Sequence, residues 1–338
     1  MKHLLTALPL WVCFAAHAQN SDSAQFYYKN AMIEKAAKRY LAASQSLEKA
    51  SKFSPSNTNI LMETGFVYLE MKKTDQAKAV FTKVNELEPS NKEAIEQLMN
   101  LYFNYRQFAK AIEFAQKCPD CGNASHVLGM SNYSTENYPD AEKFLKATLD
   151  KNPADAEAAY TLARTYLDME EYTKSLPWYE KATKMDGAKA VWMYELGLLY
   201  YNQSDYKKAV SSFTNAANNG YAQSSDFNEN LGFASLYSGE YEKGEKLLLD
   251  IYAKKPGDKD LLRSMAEALY QQKQYDKSLS YCQKLMEIDS KDGKALYQAG
   301  LNFQKKGDKD KGQQMCDKAI ELDPSLASLK RKKEMPGF

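Results

Sequence analysis

The chain has 338 residues, 44% of them apolar and 26% charged, with 45 basic residues against 44 acidic ones. So even a balance gives no long-range pull toward nucleic acid or an anionic membrane surface. The length allows two ordinary domains or one extended fold.

The first eighteen residues read MKHLLTALPLWVCFAAHA. Lys2 supplies a positive start, Leu4 to Ala16 is apolar, and Ala16-His17-Ala18 has the small-x-small form of a cleavage site. Residues 1–18 are therefore expected to be a secretory signal cut before Gln19; the other reading is a buried N-terminal helix. A lipoprotein signal does not fit, because bulky Trp11 and Val12 precede Cys13. No other apolar stretch reaches membrane-spanning length, so no membrane span is expected in the mature chain. Removing Lys2 leaves 44 basic against 44 acidic residues. His3 and His17 leave too, so His126 is the one histidine remaining. A multi-histidine metal site, or a mechanism needing two histidines, is thereby excluded. Cys118, Cys121, Cys282 and Cys316 remain, in a compartment that permits disulfides.

Along the chain a small residue recurs at Ala31, Gly65, Gly129, Ala163, Gly197, Gly232, Ala266 and Gly300. The steps are 34, 64 (34 plus 30), 34, 34, 35, 34 and 34, with Met99 in the missing place. An aromatic series runs Tyr40, Phe108, Tyr138, Tyr172, Tyr206, Tyr241, Tyr275, and a proline series Pro55, Pro89, Pro153, Pro256, Pro324. Apolar residues recur at helical spacing through two stretches in each unit. The small residue admits a close neighbour, the aromatic fills the turn, and the proline stops the second helix. Units begin near 24, 58, 92, 122, 156, 190, 225, 259 and 293, and residues 19–326 form the array. No unit can bury its apolar face alone, so the units must stack.

The unit from Ala190 carries Trp192, Leu196, Gly197, Tyr200, Tyr206, Ala209, Phe213 and Ala216; the unit from Thr58 carries Leu61, Gly65, Tyr68, Ala77, Phe81 and Pro89. This pattern resembles the tetratricopeptide repeat, and the resemblance covers nearly the whole mature chain. It implies an all-α fold, a right-handed superhelical solenoid of about nine helix-turn-helix repeats with a concave inner face. Three departures stand out. Gly244 and Gly312 replace the usual alanine, at about 1 kcal/mol each in helix propensity. Pro177 falls within the first turn of its helix if Thr173 is the cap. Beyond Leu326, residues 327–338 read as a solvating helix or tail with a Lys330–Lys333 charge run.

The run KCPDCGNASH sits where one unit is four residues short. Phe108, Ala111 and Ala115 keep their spacing, so the loss falls at the end of the second helix. Cys118 and Cys121 there are a candidate disulfide pinning a shortened helix, with free thiols, thiol-redox chemistry and metal binding as alternatives. A redox pair prefers a helix start. A zinc site needs four ligands where only His126 and Asp120 are near. Cys282 and Cys316, one repeat apart at equivalent slots, are too distant to bridge and are expected to be small buried apolar residues.

Tyrosine is abundant, with 24 in the chain. In this family certain first-helix positions face the groove, and the resemblance puts Tyr28, Tyr133, Tyr160, Tyr194, Tyr201, Tyr237, Tyr270 and Tyr297 there, with Phe66, Phe103 and Phe233. The candidate partner-binding groove is Tyr160, Arg164, Tyr194, Tyr201, Phe233, Tyr237, Arg263 and Tyr270, with Glu229 and Glu267 as further polar anchors. Large rigid rings bind a peptide or helix at low entropic cost. None of the equivalent groove pairs is Lys/Asn, so the family's clamp for chaperone C-terminal carboxylates is absent. There is no phosphate loop, nucleophile elbow or HExxH, and no cofactor is expected. The expectation is a non-enzymatic, periplasmic or secreted scaffold that binds a protein or peptide, in envelope assembly by analogy. A glycan-binding module using the same rings, or a thiol oxidoreductase using Cys118 and Cys121, is the alternative.

Overall fold

The computed structural model describes residues 11–328, with side chains from residue 22 onward. Most of the expected signal, residues 1–10, and most of the tail, residues 329–338, lie outside the described residues. Every element among the described residues is helical. The helices come in consecutive pairs: α1 (Trp11–Ala36) with α2 (Tyr40–Phe53), α3 (Thr58–Glu70) with α4 (Thr74–Leu87), and α5 (Lys92–Asn104) with α6 (Phe108–Lys117). Next come α7 (Ala124–Ser134) with α8 (Tyr138–Lys151), α9 (Ala156–Asp168) with α10 (Tyr172–Met185), and α11 (Ala190–Asn202) with α12 (Tyr206–Asn218). The series ends with α13 (Ser225–Ser238) and α14 (Tyr241–Lys254), α15 (Lys259–Gln271) and α16 (Tyr275–Ile288), α17 (Gly293–Lys306) and α18 (Lys309–Leu322). A short 3-10 turn, Pro324–Leu326, follows. The chain forms two compact units, residues 1–175 and 176–338, and the residues of α10 belong to both.

Each pair is built around one contact between positions twelve apart. The partners are Ala31/Ala43, Gly65/Ala77, Met99/Ala111, Gly129/Ala141, Ala163/Ser175, Gly197/Ala209, Gly232/Gly244, Ala266/Ser278 and Gly300/Gly312, all buried. Four positions further on, a second-helix side chain lies over the small residue. A Cβ added to Gly197 would stand 2.6 Å from the Phe213 ring, and one added to Gly129 would stand 2.8 Å from Leu145. Met99 reverses the sizes: it faces the register of small Ala115, and both are fully buried in one cluster. Gly244 and Gly312 do more than lower helix propensity. A Cβ on either would lie within 2.7 Å of the facing carbonyl of Gly232 or Gly300, so the glycine pairs bring two backbones together.

The turn inside each pair is also repeated. Residues 38, 72, 106, 136, 170, 204, 239, 273 and 307 all have positive φ, and only Gly239 and Gly307 among them are glycine. In the second pair Lys72 N–H donates to the Leu69 carbonyl and Lys73 N–H to the Tyr68 carbonyl, the two bonds of a Schellman motif. A left-handed lysine or serine costs about 1 kcal/mol, so the packing of the two helices imposes this turn against local preference. Six first helices start on side-chain caps: Asn57, Asn91, Asp155, Ser224, Asp258 and Asp292 each accept a backbone N–H of the following turn, whereas α7 and α11 start without one.

Two details differ from, or sharpen, the sequence reading. α6 spans 10 residues where α4 and α8 span 14, so the missing turn is taken from the end of α6. Thr173 is not a cap: α10 begins at Tyr172 and Pro177 lies inside it, beyond the first turn. Ser175 offers a partial reason the helix holds. Its hydroxyl, fully buried, donates to the Ala163 carbonyl of α9 at 2.8 Å and anchors the first turn from the neighbouring helix.

Replacing Gly197 by alanine is expected to lower stability by about 1–3 kcal/mol in urea unfolding. Adding Phe213→Leu should restore part of that loss, because the clash is with that ring.

Candidate functional site

Within each compact unit the first helices are neighbours, α5 with α7 and α7 with α9, then α13 with α15 and α15 with α17. In each unit they form a layer, and some of the aromatic residues singled out above stand part-exposed on it; Tyr297, expected there too, is instead buried in the core cluster of α17 and α18. In residues 1–175, Tyr160 and Arg164 lie on α9, and the Tyr160 hydroxyl accepts from the Arg164 guanidinium at 3.4 Å. Tyr133 on α7 donates to Asp168 at 2.9 Å, and burial with that bond raises its pKa well above the usual phenol range.

In residues 176–338 the predicted rings do not form one cluster. Tyr194 is drawn inward: it stacks on Tyr221 at 4.4 Å and packs on Phe213 and Phe227 at 5.5 and 5.6 Å. Its hydroxyl accepts from Asn230 at 3.0 Å. Tyr194 is thus a pillar between α11, α12 and α13, because the loop before α13 folds Tyr221 over it. Phe233 packs against the core cluster of α13–α16. Arg263 is occupied: it donates to Asp260 at 2.7 Å and to Asp292, the cap of α17, at 3.0 Å. His126 makes the equivalent contact four helix pairs earlier, 2.9 Å from Asp155, the cap of α9.

Tyr201, Tyr237 and Tyr270 remain half-buried on the face. Tyr201 and Tyr237 meet across α11 and α13 at 6.3 Å, and Tyr270 packs on Tyr275 at 5.8 Å. Sequence reasoning missed Tyr206, which it treated as a turn filler. Tyr206 stacks on Tyr237 at 4.7 Å and meets Tyr201 at 5.4 Å. The signal was available as a ring five residues on, across the left-handed turn, a spacing shared by Phe103/Phe108, Tyr133/Tyr138 and Tyr270/Tyr275. Burial, then the charges of Tyr237, Tyr206 and Glu229, push the Tyr201 phenol up to about 12.

A different set of tyrosines ties one pair to the next. Tyr166 donates to Glu142 at 2.9 Å, Tyr281 donates to Glu245 at 2.9 Å, and Tyr200 donates to Glu180. Lysine ammoniums lie over the same rings: Lys174 over Tyr166, Lys208 over Tyr200 and Lys284 over Tyr281.

Cys118 and Cys121 are bridged, with Cα atoms 5.4 Å apart. Cys118 is the C-terminal cap of α6, and the two residues are 3% and 7% exposed. The bridge closes the end of the shortened helix among the core residues of α5–α7. Cys282 and Cys316 are outside any disulfide and buried, each four residues after the small second-helix position of its pair. Among the described residues no group of metal-ligating side chains is gathered, and no helix is long and apolar enough to cross a membrane.

Three sequence models of the tetratricopeptide repeat match the chain: one at residues 133–194, one at 59–91 and again at 293–326, and one at 229–293. The chain belongs to the tetratricopeptide-repeat family. Among curated proteins, this tetratricopeptide-repeat chain is 28% identical over 166 residues to protein O-mannosyl-transferase TMTC1 of Homo sapiens. That match covers 48% of the chain and 18% of the human protein, so the chain spans under a fifth of that relative's length. Among solved structures it resembles YrrB, described as a TPR protein with an unusual peptide-binding site. The likeness is at 23% identity, 56% of this chain, 98% of that one and a TM-score of 0.39. PilF of Pseudomonas aeruginosa matches at 19% identity, 62% and 97% coverage and a TM-score of 0.46.

Two measurements check this geometry. Burial pushes the Cys282 thiol up to about 12, so at pH 8 it is protonated as well as enclosed. Native protein is expected to give no rapid reaction with a thiol reagent, and full reaction of Cys282 and Cys316 after unfolding. For Tyr201 the folded pKa lies above its ordinary 10.0. Its contribution to stability is complete below pH 10 and is lost as pH rises toward 12. The Tyr201→Phe variant should therefore show a smaller alkaline loss of stability than the parent.

Proposed function

We propose that this tetratricopeptide-repeat protein is a non-enzymatic scaffold that holds a peptide or protein segment against the face lined by its first helices. One observation carries the reading: Tyr201, Tyr237 and Tyr270 stand half-buried on that face, and their hydroxyls have no hydrogen-bond partner among the described residues. Rings fixed by packing but open on one side, with a spare donor each, offer contact area and hydrogen bonds at little entropic cost. Tyr166 and Tyr281, by contrast, spend their hydroxyls on glutamates of the preceding pair.

The thiol-oxidoreductase alternative is disfavoured by placement. The Cys118–Cys121 bridge ends a helix, is nearly enclosed, and lacks the helix-start position that lowers a thiol pKa. A structural bridge instead supports an oxidising compartment. Together with the pattern of residues 1–18 it supports export to a periplasm or the exterior, where an envelope-assembly role is the functional context we favour.

The test uses Tyr201→Ala with Tyr270→Ala, leaving Tyr194 alone because it is a packing pillar. Wild type should capture a protein from envelope extract that the variant, with unchanged helicity, does not. Equal capture by both removes the face as the binding surface, and capture competed by free glycan would favour the sugar-binding alternative. Export is tested by the mass of protein recovered from the periplasm, which should begin at Gln19; an intact Met1 start would overturn it.

A further inference from the structure

Three tyrosines on the first-helix face make a corner. Tyr206 and Tyr237 lie 25° from parallel, while Tyr201 stands at 73° to Tyr206 and 63° to Tyr237. Ring faces attract cations, and elsewhere in this chain they are already supplied. Lys73 lies over Tyr68, Lys110 over Tyr102, Lys174 over Tyr166 and Lys208 over Tyr200. No lysine or arginine covers Tyr201, Tyr206 or Tyr237 among the described residues.

Two carboxylates adjoin the corner. Glu229 lies two helical turns before Tyr237 on α13, and Glu267 one turn before Tyr270 on α15; Glu229 helps raise the Tyr201 phenol and Glu267 the Tyr237 phenol, after burial. Both carboxylates are exposed, and neither forms an ion pair among the described residues. Glu267 accepts only from Gln271 of its own helix, at 3.4 Å. The basic residue nearest in register, Arg263, is committed to Asp260 and Asp292. The corner therefore combines three tyrosine rings with two carboxylates that form no ion pair among the described residues.

The complement of that arrangement is a flat cation. We propose that Tyr201, Tyr206 and Tyr237, with Glu229 and Glu267, form the docking point for an arginine side chain of the bound protein segment. The proposal rests on the reading of this face as a protein-binding surface and adds the chemistry of its occupant. A guanidinium stacks on a tyrosine face and at the same time presents a fork of N–H donors to a carboxylate. A lysine ammonium can do one or the other at full strength, so arginine is favoured. Charge complementarity also predicts salt-sensitive association.

The probe is a fluorescein-labelled (Gly-Arg)4 peptide, followed by anisotropy against the full chain at roughly 50 mM salt. A citrulline peptide of the same shape removes the charge and is expected to bind roughly tenfold more weakly or worse. Glu229→Gln with Glu267→Gln should weaken the arginine peptide by a similar factor at unchanged helicity and melting temperature. Glu86→Gln with Glu113→Gln, on the second helices α4 and α6 of residues 1–175, should leave binding within about twofold. Undetectable binding of the arginine peptide, equal binding of the citrulline peptide, or equal loss from the two glutamate pairs would each overturn the proposal. The tyrosine-variant capture experiment is independent: if it still loses its protein while the arginine peptide fails, the face binds protein by other chemistry. If both fail, the reading of the face falls as well.

Discussion

The contact between positions twelve apart sets the rest of this molecule. A glycine, alanine or serine on each side lets two helix backbones approach until a carbonyl or a single ring fills the remaining gap, as Gly197 and Phe213 show. That closeness forces the chain to reverse in three residues, so the connecting residue must adopt a left-handed conformation even where it is Lys72 or Ser204. Close pairing also leaves each pair a continuous apolar side, which only the next pair can cover. Where a residue departs from the pattern, its partner compensates: bulky Met99 meets the register of Ala115, and Ser175 and Ser278 turn their hydroxyls onto the Ala163 and Ala266 carbonyls at 2.8 and 2.7 Å.

Between pairs the ties are polar and directional. A tyrosine of one pair reaches a glutamate of its predecessor, as Tyr166 does to Glu142 and Tyr281 to Glu245. Caps of first helices serve twice. Asp155 and Asp292 hold their own helix starts with one oxygen and receive His126 and Arg263 from the preceding first helix with the other. These bonds add little individually but each has a geometry, so they fix the register that apolar contact alone leaves loose. The shortened α6 loses a turn of such contacts, and the Cys118–Cys121 bridge stands in its place.

Function follows from what this bookkeeping of partners leaves over. Most rings and charges of the array are satisfied within it, Tyr194 by three other rings and Arg263 by two aspartates. Tyr201 and Tyr237, whose hydroxyls make no hydrogen bond among the described residues, and Glu229 and Glu267, which form no ion pair among them, share one face of residues 176–338 with Tyr206.

The sequence by itself determined the helix pairs, the period and the short unit, because those depend on residue size and apolar spacing along one chain. Gly65, Gly129 and Gly197 announce a close helix contact wherever they fall, and the step from Met99 to Gly129 announces a missing turn. The caps Asn57, Asn91, Asp155, Asp258 and Asp292, which went unread in the sequence, hold their first helices in the structure. Which tyrosines face outward was not legible in the sequence. Tyr194 and Tyr201 sit on the same helix, seven residues apart, yet one is stacked beneath Tyr221 and the other joins Tyr206 and Tyr237. That choice belongs to tertiary structure, since it depends on a loop and a neighbouring helix whose positions no local pattern encodes.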